Sequence, residues 1–290
     1  MKRRMCFTLI CLLTSVILAA CIPSQAEREE QATKIAASIF ATLTAESPAI
    51  TPTFTSIQST APPATSTRVA SADQARAFAD PILAAIANRS PTYEDNFDDP
   101  ESGWKTGSSG SGEVGYVPAV GEYFAAVPAA NGGDHVCADA DDGRIPVPYA
   151  ADFVMEYRFR FAVVAEGGKL IVHFRIIGGV YSMWVDVSTD PDAHITLLDE
   201  LTKDVAGPKF GSYRLGGGIM SGEWFTVRII ARGAAIVVYV DDRPAIFAQI
   251  PNYDPAMHGS EIGFNFCNQG QSPIEGRWDY LRLWDISDLP

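Results

Sequence analysis

Alternation of apolar with polar residues, repeated in segment after segment of the second half of the chain, most limits what this sequence can build. In DFVMEYRFRF, Phe153, Met155, Tyr157, Phe159 and Phe161 alternate with Val154, Glu156, Arg158 and Arg160. KLIVHFRI sets Leu170, Val172, Phe174 and Ile176 against Lys169, Ile171, His173 and Arg175, and YSMWVDV sets Met183, Val185 and Val187 against Ser182, Trp184 and Asp186. Side chains on a strand point to opposite faces in turn, so a period of two describes sheets with one buried face. EWFTVRIIARGAAIVVYVDDRP reads as two strands about a turn at Gly233, closed by an Asp241-Asp242 turn, and EIGFNF and RWDYLRLW supply the last two strands. No strand–helix alternation is present, which argues against a parallel α/β sheet. The expected fold is therefore all-β, a sandwich of two antiparallel sheets over residues 93–290.

The chain ahead of this domain has a different texture. Residues 1–20 begin with Lys2, Arg3 and Arg4, continue with an apolar run from Met5 to Leu18, and end in small residues before Cys21. The run is shorter than the roughly 20 residues a membrane-spanning helix needs, and its flanks are those of an export signal. Residues 21–46 carry a capping-box pattern at Ser24–Glu27 and apolar residues at helical spacing, Ala32, Ile35, Ala36, Ile39, Phe40 and Leu43, which predicts an amphipathic helix. Residues 47–70 are a Ser/Thr/Pro linker. Residues 71–92 predict a short helix with Phe78, Ile82, Leu83 and Ile86 on its apolar side. Pro81 suggests a restart there, with Asp80 as the N-cap.

The formal net charge is −13, and removing the signal takes away three cations and no anion. So acidic a body is a poor partner for nucleic acid. Of five cysteines, Cys6 and Cys11 lie in the signal and Cys21 at its end, which leaves Cys137 and Cys267 in the domain. In an exported domain these two are expected to pair, the alternative being two separate buried thiols.

Leu18-Ala19-Ala20-Cys21 resembles the lipobox of bacterial lipoproteins, which implies acylation of Cys21 and attachment to a membrane through the lipid. FDDPESGW, GEWFTVRIIARGAAIVVYVDD and WDYLRLWD together resemble the concanavalin A-like lectin/glucanase superfamily, and more closely its laminin-G-like and 3-keto-disaccharide-hydrolase-type domains. The resemblance covers residues 93–287. It implies a jelly roll whose concave face binds glycans in many relatives.

The candidate sites follow from both lines. EDNFDDPESGW places Glu94, Asp95, Asp98, Asp99 and Glu101 around Phe97 and Trp104, and the simplest reading is a solvated connection anchored by the two aromatics. Calcium-containing β-glucanases of the superfamily imply a Ca²⁺ site whose matching positions are the Asp279 side chain and the main-chain carbonyls of Asp95 or Asn96 and of Gly121. By parity with Leu281 and Leu283, Asp279 is expected to face inward, where a carboxylate needs donors or a cation. The same parity puts Trp278, Tyr280 and Trp284 outward, either as a docking patch for a protein partner or beneath the 71–92 helix. The glucanase arrangement Glu-x-Asp-x-x-Glu is missing; WVDVSTD offers only Asp186 and Asp190. The four histidines have no metal-ligand spacing. The reading favours a non-catalytic carbohydrate-binding module whose outward residues His173, Arg175, Trp184 and Asp186 meet a glycan. A glycoside or 3-keto-disaccharide hydrolase and an adhesion module are the alternatives.

Overall fold

The computed structural model describes residues 72–130, 135–140, 150–177, 181–189, 193–202, 205–215, 219–251, 253–255 and 261–290. The signal, Cys21, the 21–46 helix and the linker lie outside them. One helix, α1 (Ala72–Ile86), precedes the strands β1 (Tyr93–Asp95), β2 (Gly107–Ser109), β3 (Gly112–Val117), β4 (Glu122–Val127) and β5 (Val136–Asp139). There follow β6 (Phe153–Val163), β7 (Gly168–Ile177), β8 (Tyr181–Ser188), β9 (His194–Thr202) and β10 (Val205–Arg214). The chain closes with β11 (Phe225–Arg232), β12 (Ala235–Val240), β13 (Arg243–Gln249), β14 (Glu261–Asn268) and β15 (Ile274–Asp285).

The strands form two antiparallel sheets. A 9-stranded sheet runs β13-β12-β11-β6-β15-β4-β3-β2, with β1 beside the far half of β15; a 6-stranded sheet runs β10-β9-β8-β7-β14-β5. The alternating residues meet between them. Met155, Tyr157, Phe159, Phe161, Leu281 and Leu283 from the larger sheet pack on Leu170, Val172, Phe174, Met183, Val185, Phe264 and Phe266 from the smaller, all essentially without solvent contact. This is the expected two-layer sandwich.

A second apolar layer covers part of the larger sheet's outer face. Ala75, Ala79, Ile82 and Ile86 of α1 lie on Val154, Ile230, Val237, Tyr239 and Ile286, with Phe78, Leu83, Phe247 and Trp284 at its margin. That explains why β12 is apolar without alternation: every residue from Ala235 to Val240 is buried, on one side by the sandwich core and on the other by the helix. The helix runs unbroken through Pro81 rather than restarting at Asp80. An internal proline costs about 3 kcal/mol. Burial of Ala79 and Ile82 on either side of it, in the layer beneath, offsets that cost.

The register of β15 departs from simple alternation. A bulge between Trp278 and Tyr280 swaps the faces, so Trp278 turns into the core against Phe159, Tyr123 and Phe266, while Asp279 turns out. The patch expected from Trp278, Tyr280 and Trp284 therefore does not form. Trp278 is 3% exposed, the Tyr280 hydroxyl donates to Glu156, and the Trp284 indole donates to the Arg89 carbonyl at the edge of the helix layer. The rest of this outer face is a ladder of ion pairs, Glu122 with Arg160 and Arg277, Arg228 with Glu156, and Arg282 with Glu94.

Cys137 lies directly opposite Cys267 in the β5–β14 register, with Cα atoms 4.1 Å apart and the sulfurs bonded. The bridge spans 130 residues of sequence and holds the short edge strand β5 to the sheet. In the chain-entropy model such a loop stabilises by roughly 5 kcal/mol. Replacing both cysteines by serine is expected to lower the thermal midpoint by about 10 °C or more, read by circular dichroism. An unchanged midpoint would show that the bridge contributes nothing.

Candidate functional site

The acid-rich EDNFDDPESGW segment is a structural staple. Asp95, at the end of β1, is 7% exposed. Its Oδ1 accepts from the Phe97 amide at 2.7 Å. Its Oδ2 accepts from Ser102 Oγ at 2.6 Å, Trp104 Nε1 at 2.9 Å and Tyr93 Oη at 3.2 Å. The Tyr116 hydroxyl accepts from the Trp104 amide and lies 2.9 Å from Ser102 Oγ, so the loop is tied to β3 as well. Burial, and next the Asp95 charge, push the Tyr93 hydroxyl pKa far upward, which keeps it a donor. These bonds hold Phe97 in a left-handed conformation (φ 58°) and stack it edge-on against Trp104 at 5.5 Å. Trp104 in turn reaches Phe264 of the other sheet.

The calcium ligands expected from the sequence are only partly brought together. Asn96 and Gly121 do come together, since the Asn96 carbonyl and Asp98 crowd the place where a Cβ on Gly121 would sit. Asp279, the one side-chain ligand of the expected set, faces outward, however, paired with Arg158 at 2.7 Å and partly in solvent. No group of three acidic, histidine or cysteine side chains among the described residues converges on one point. The expected ligand set does not converge, because the inward orientation expected of Asp279 is overturned by the bulge in β15.

The outer face of the smaller sheet is where the proposed ligand residues meet. Leu170, Val172, Met183, Val185, Ile195 and Leu197 point into the core, so their neighbours point away from it. His173 is directly opposite Trp184, which is opposite Leu198; Ile171, Asp186, Thr196 and Ser212 form the adjacent row, continued on β14 by Asn265 and on β5 by Asp139. The His173 and Trp184 rings meet edge to face at 5.4 Å. The indole nitrogen of Trp184 is a buried donor with no acceptor. Burial pushes the His173 pKa down to about 4, so its imidazole is neutral at physiological pH.

Arg175 does not join this face. It is the extra residue of a bulge in β7, between the pairs Phe174–Ile262 and Ile176–Glu261, with φ 57°. The bulge turns its side chain into the end of the sandwich, where it is fully buried. Its Nε donates to the Ala151 carbonyl at 3.0 Å, its Nη2 lies 3.4 Å from Asp152, and its guanidinium lies over the Tyr253 ring. Strict alternation could not foresee this, because no glycine or proline marks the bulge.

Paired carboxylates are the remaining test. On the described part of this face, Asp139 and Asp186 share a row but are three strands apart, roughly 14 Å at ordinary strand spacing. Glycosidic hydrolysis by two carboxylates needs a separation of roughly 5–9.5 Å.

Solved structures similar to this one share its sandwich. A galectin-like protein of unknown function from Bacillus subtilis matches with a TM-score of 0.50 at 8% identity, covering 68% of this chain and 96% of its own. The fold is galectin-like. A β-1,3-glucanase from Mycobacterium marinum (TM-score 0.46, 12% identity, 68% of this chain and 100% of that one) and a Bacillus licheniformis β-glucanase (0.46, 14%, 68% and 100%) are also similar. No family model and no curated protein matches the sequence.

Two predictions follow from this geometry. Asp95→Asn places an amide NH₂ against donors, and is expected to cost about 2–4 kcal/mol in denaturant unfolding. The second concerns pH. Unfolded His173 takes a proton near 6.5 and folded His173 only near 4, so between those values the unfolded state binds more protons. Stability from the neutral imidazole is therefore complete above pH 6.5 and drains by up to about 3 kcal/mol as pH falls to 4. Denaturant titrations across that range are expected to show a smaller acid loss in His173→Gln than in the wild type.

Proposed function

We propose that this chain is an exported lipoprotein, held on a membrane by acylated Cys21, that displays a non-catalytic carbohydrate-binding sandwich. The single observation that carries the binding reading is the set His173, Trp184 and Asp186 brought together on one face of the smaller sheet. Trp184 offers apolar contact to a pyranose ring, while Asp186 accepts from hydroxyls and the neutral His173 supplies polar contact without net charge. The wide spacing of Asp139 and Asp186 supports binding without hydrolysis.

The membrane assignment rests on the lipobox-like Leu18–Cys21 and on the linker composition of residues 47–70, which suits a tether. The acidic body disfavours nucleic acid as a partner.

A glycan array probed with the full-length chain tests the binding reading. Trp184→Ala is expected to weaken any array hit at least tenfold, about 1.4 kcal/mol. An array without hits, or hits indifferent to that substitution, would remove the proposed face from consideration. Metabolic labelling with a fatty acid, lost in Cys21→Ser, is the expected outcome for the anchor.

A further inference from the structure

A second cleft, away from the Trp184 face, opens where the end of β10, the 219–225 segment and the β12–β13 turn converge. Its volume is about 340 Å³, and Tyr213, Ile219, Met220, Glu223, Trp224 and Arg243 are among its walls. Tyr213 is opposite Ile195 and leans on the sandwich core, so it belongs to the inner side of the sheet whose outer side carries Trp184. The two places are separated by the thickness of that sheet.

Three features set this cleft apart from an ordinary surface dent. Trp224 is held by two cations: the guanidinium groups of Arg160 and Arg158 lie 4.6 and 5.1 Å from its ring centroid. Those arginines are themselves fixed by Glu122 and Asp279, so the indole is a preorganised platform. Met220 stands on the lip, 65% exposed, and adds an apolar surface beside the indole. Finally, the polar wall mixes signs. Glu223 and Asp241 oppose Arg243, and Asp241 is held in place by accepting from the Thr226 amide at 2.9 Å.

The chemistry of the walls selects the ligand. Two carboxylates disfavour an anion. A cation would be repelled by the two guanidinium groups beside the indole. A neutral polyhydroxylated ring meets every requirement, with its apolar side on Trp224 and Met220 and its hydroxyls donating to the carboxylates and accepting from Arg243. The volume is at the lower end for small-molecule sites and suits roughly one or two sugar rings. We infer that this end cleft is a separate sugar-binding site, built on Trp224. It shares no residue with the Trp184 face, so either site can exist without the other.

Calorimetric titration and tryptophan fluorescence of the full-length chain test it. The probes are disaccharides and hexasaccharides of β-1,3-glucan, β-1,4-glucan and mannan, with choline chloride as the cationic control. The expected result is a sugar site weakened at least tenfold by Trp224→Ala and roughly fivefold by Glu223→Gln, both effects persisting in a Trp184→Ala background. Glu223 is exposed, so its substitution leaves the fold intact and keeps the test valid should Trp224→Ala fail to fold. Loss of all sugar binding in Trp184→Ala alone would overturn the cleft and leave the sheet-face reading standing. Loss of all binding in Trp224→Ala and Glu223→Gln, with Trp184→Ala silent, would do the reverse. Binding of choline without any sugar, or of no probe at all, would also overturn the inference.

Discussion

The pairing of β6 with β15 is the constraint on which the rest of the sandwich depends. These two long strands run side by side from Glu275–Val163 to Asp285–Phe153. Everything else in the larger sheet is added to their free edges: β11, β12 and β13 on one, β4 and β1 in succession on the other. Because both strands alternate, this pairing presents Met155, Tyr157, Phe159, Leu281 and Leu283 as one surface, and the smaller sheet has a single way to cover it. The bulge at Asp279 is part of that solution. It lets Trp278 enter the core next to Phe159 without shifting Leu281 and Leu283 from their inward positions.

Charge is handled differently on the two outer faces. On the larger sheet Arg158, Arg160, Arg228, Arg277 and Arg282 each have a carboxylate neighbour, and the exposed pairs among them add little stability individually. Their effect is to keep a broad sheet face polar and unattractive to other strands. The smaller sheet's outer face mixes Lys169, Asp186, Asp139 and Arg214 with an indole whose nitrogen is buried without a partner. That asymmetry directs attention to the smaller sheet and to the end cleft, since both combine a fixed tryptophan with mixed polarity.

Much of this architecture was legible in the sequence, for a simple reason. Burial on one face writes a period of two into the chain, and DFVMEYRFRF and KLIVHFRI carry it without interruption. The short strands β1, β2 and β5 were harder to read, because a strand of three or four residues shows no period. The candidate face was legible to the same extent as the alternation: His173, Trp184 and Asp186 lie where parity puts them. Arg175 and Asp279 do not, since each sits at a bulge, and a one-residue bulge inverts parity without leaving a residue type behind. The end cleft was invisible for another reason. Tyr213, Trp224 and Arg243 come from three separated segments, and only folding makes them neighbours.

By itself the sequence determined that this chain builds antiparallel sheets with one apolar face each, because that face must be hidden from water whatever the connections between strands. Tertiary structure decided where alternation breaks, which carboxylates are already satisfied, and which tryptophans remain available. Asp95 shows the physical reason most plainly. Its charge is a property of the residue, but whether that charge seeks a metal depends on four donors, one of them nine residues away, that only the folded chain brings within 3.2 Å.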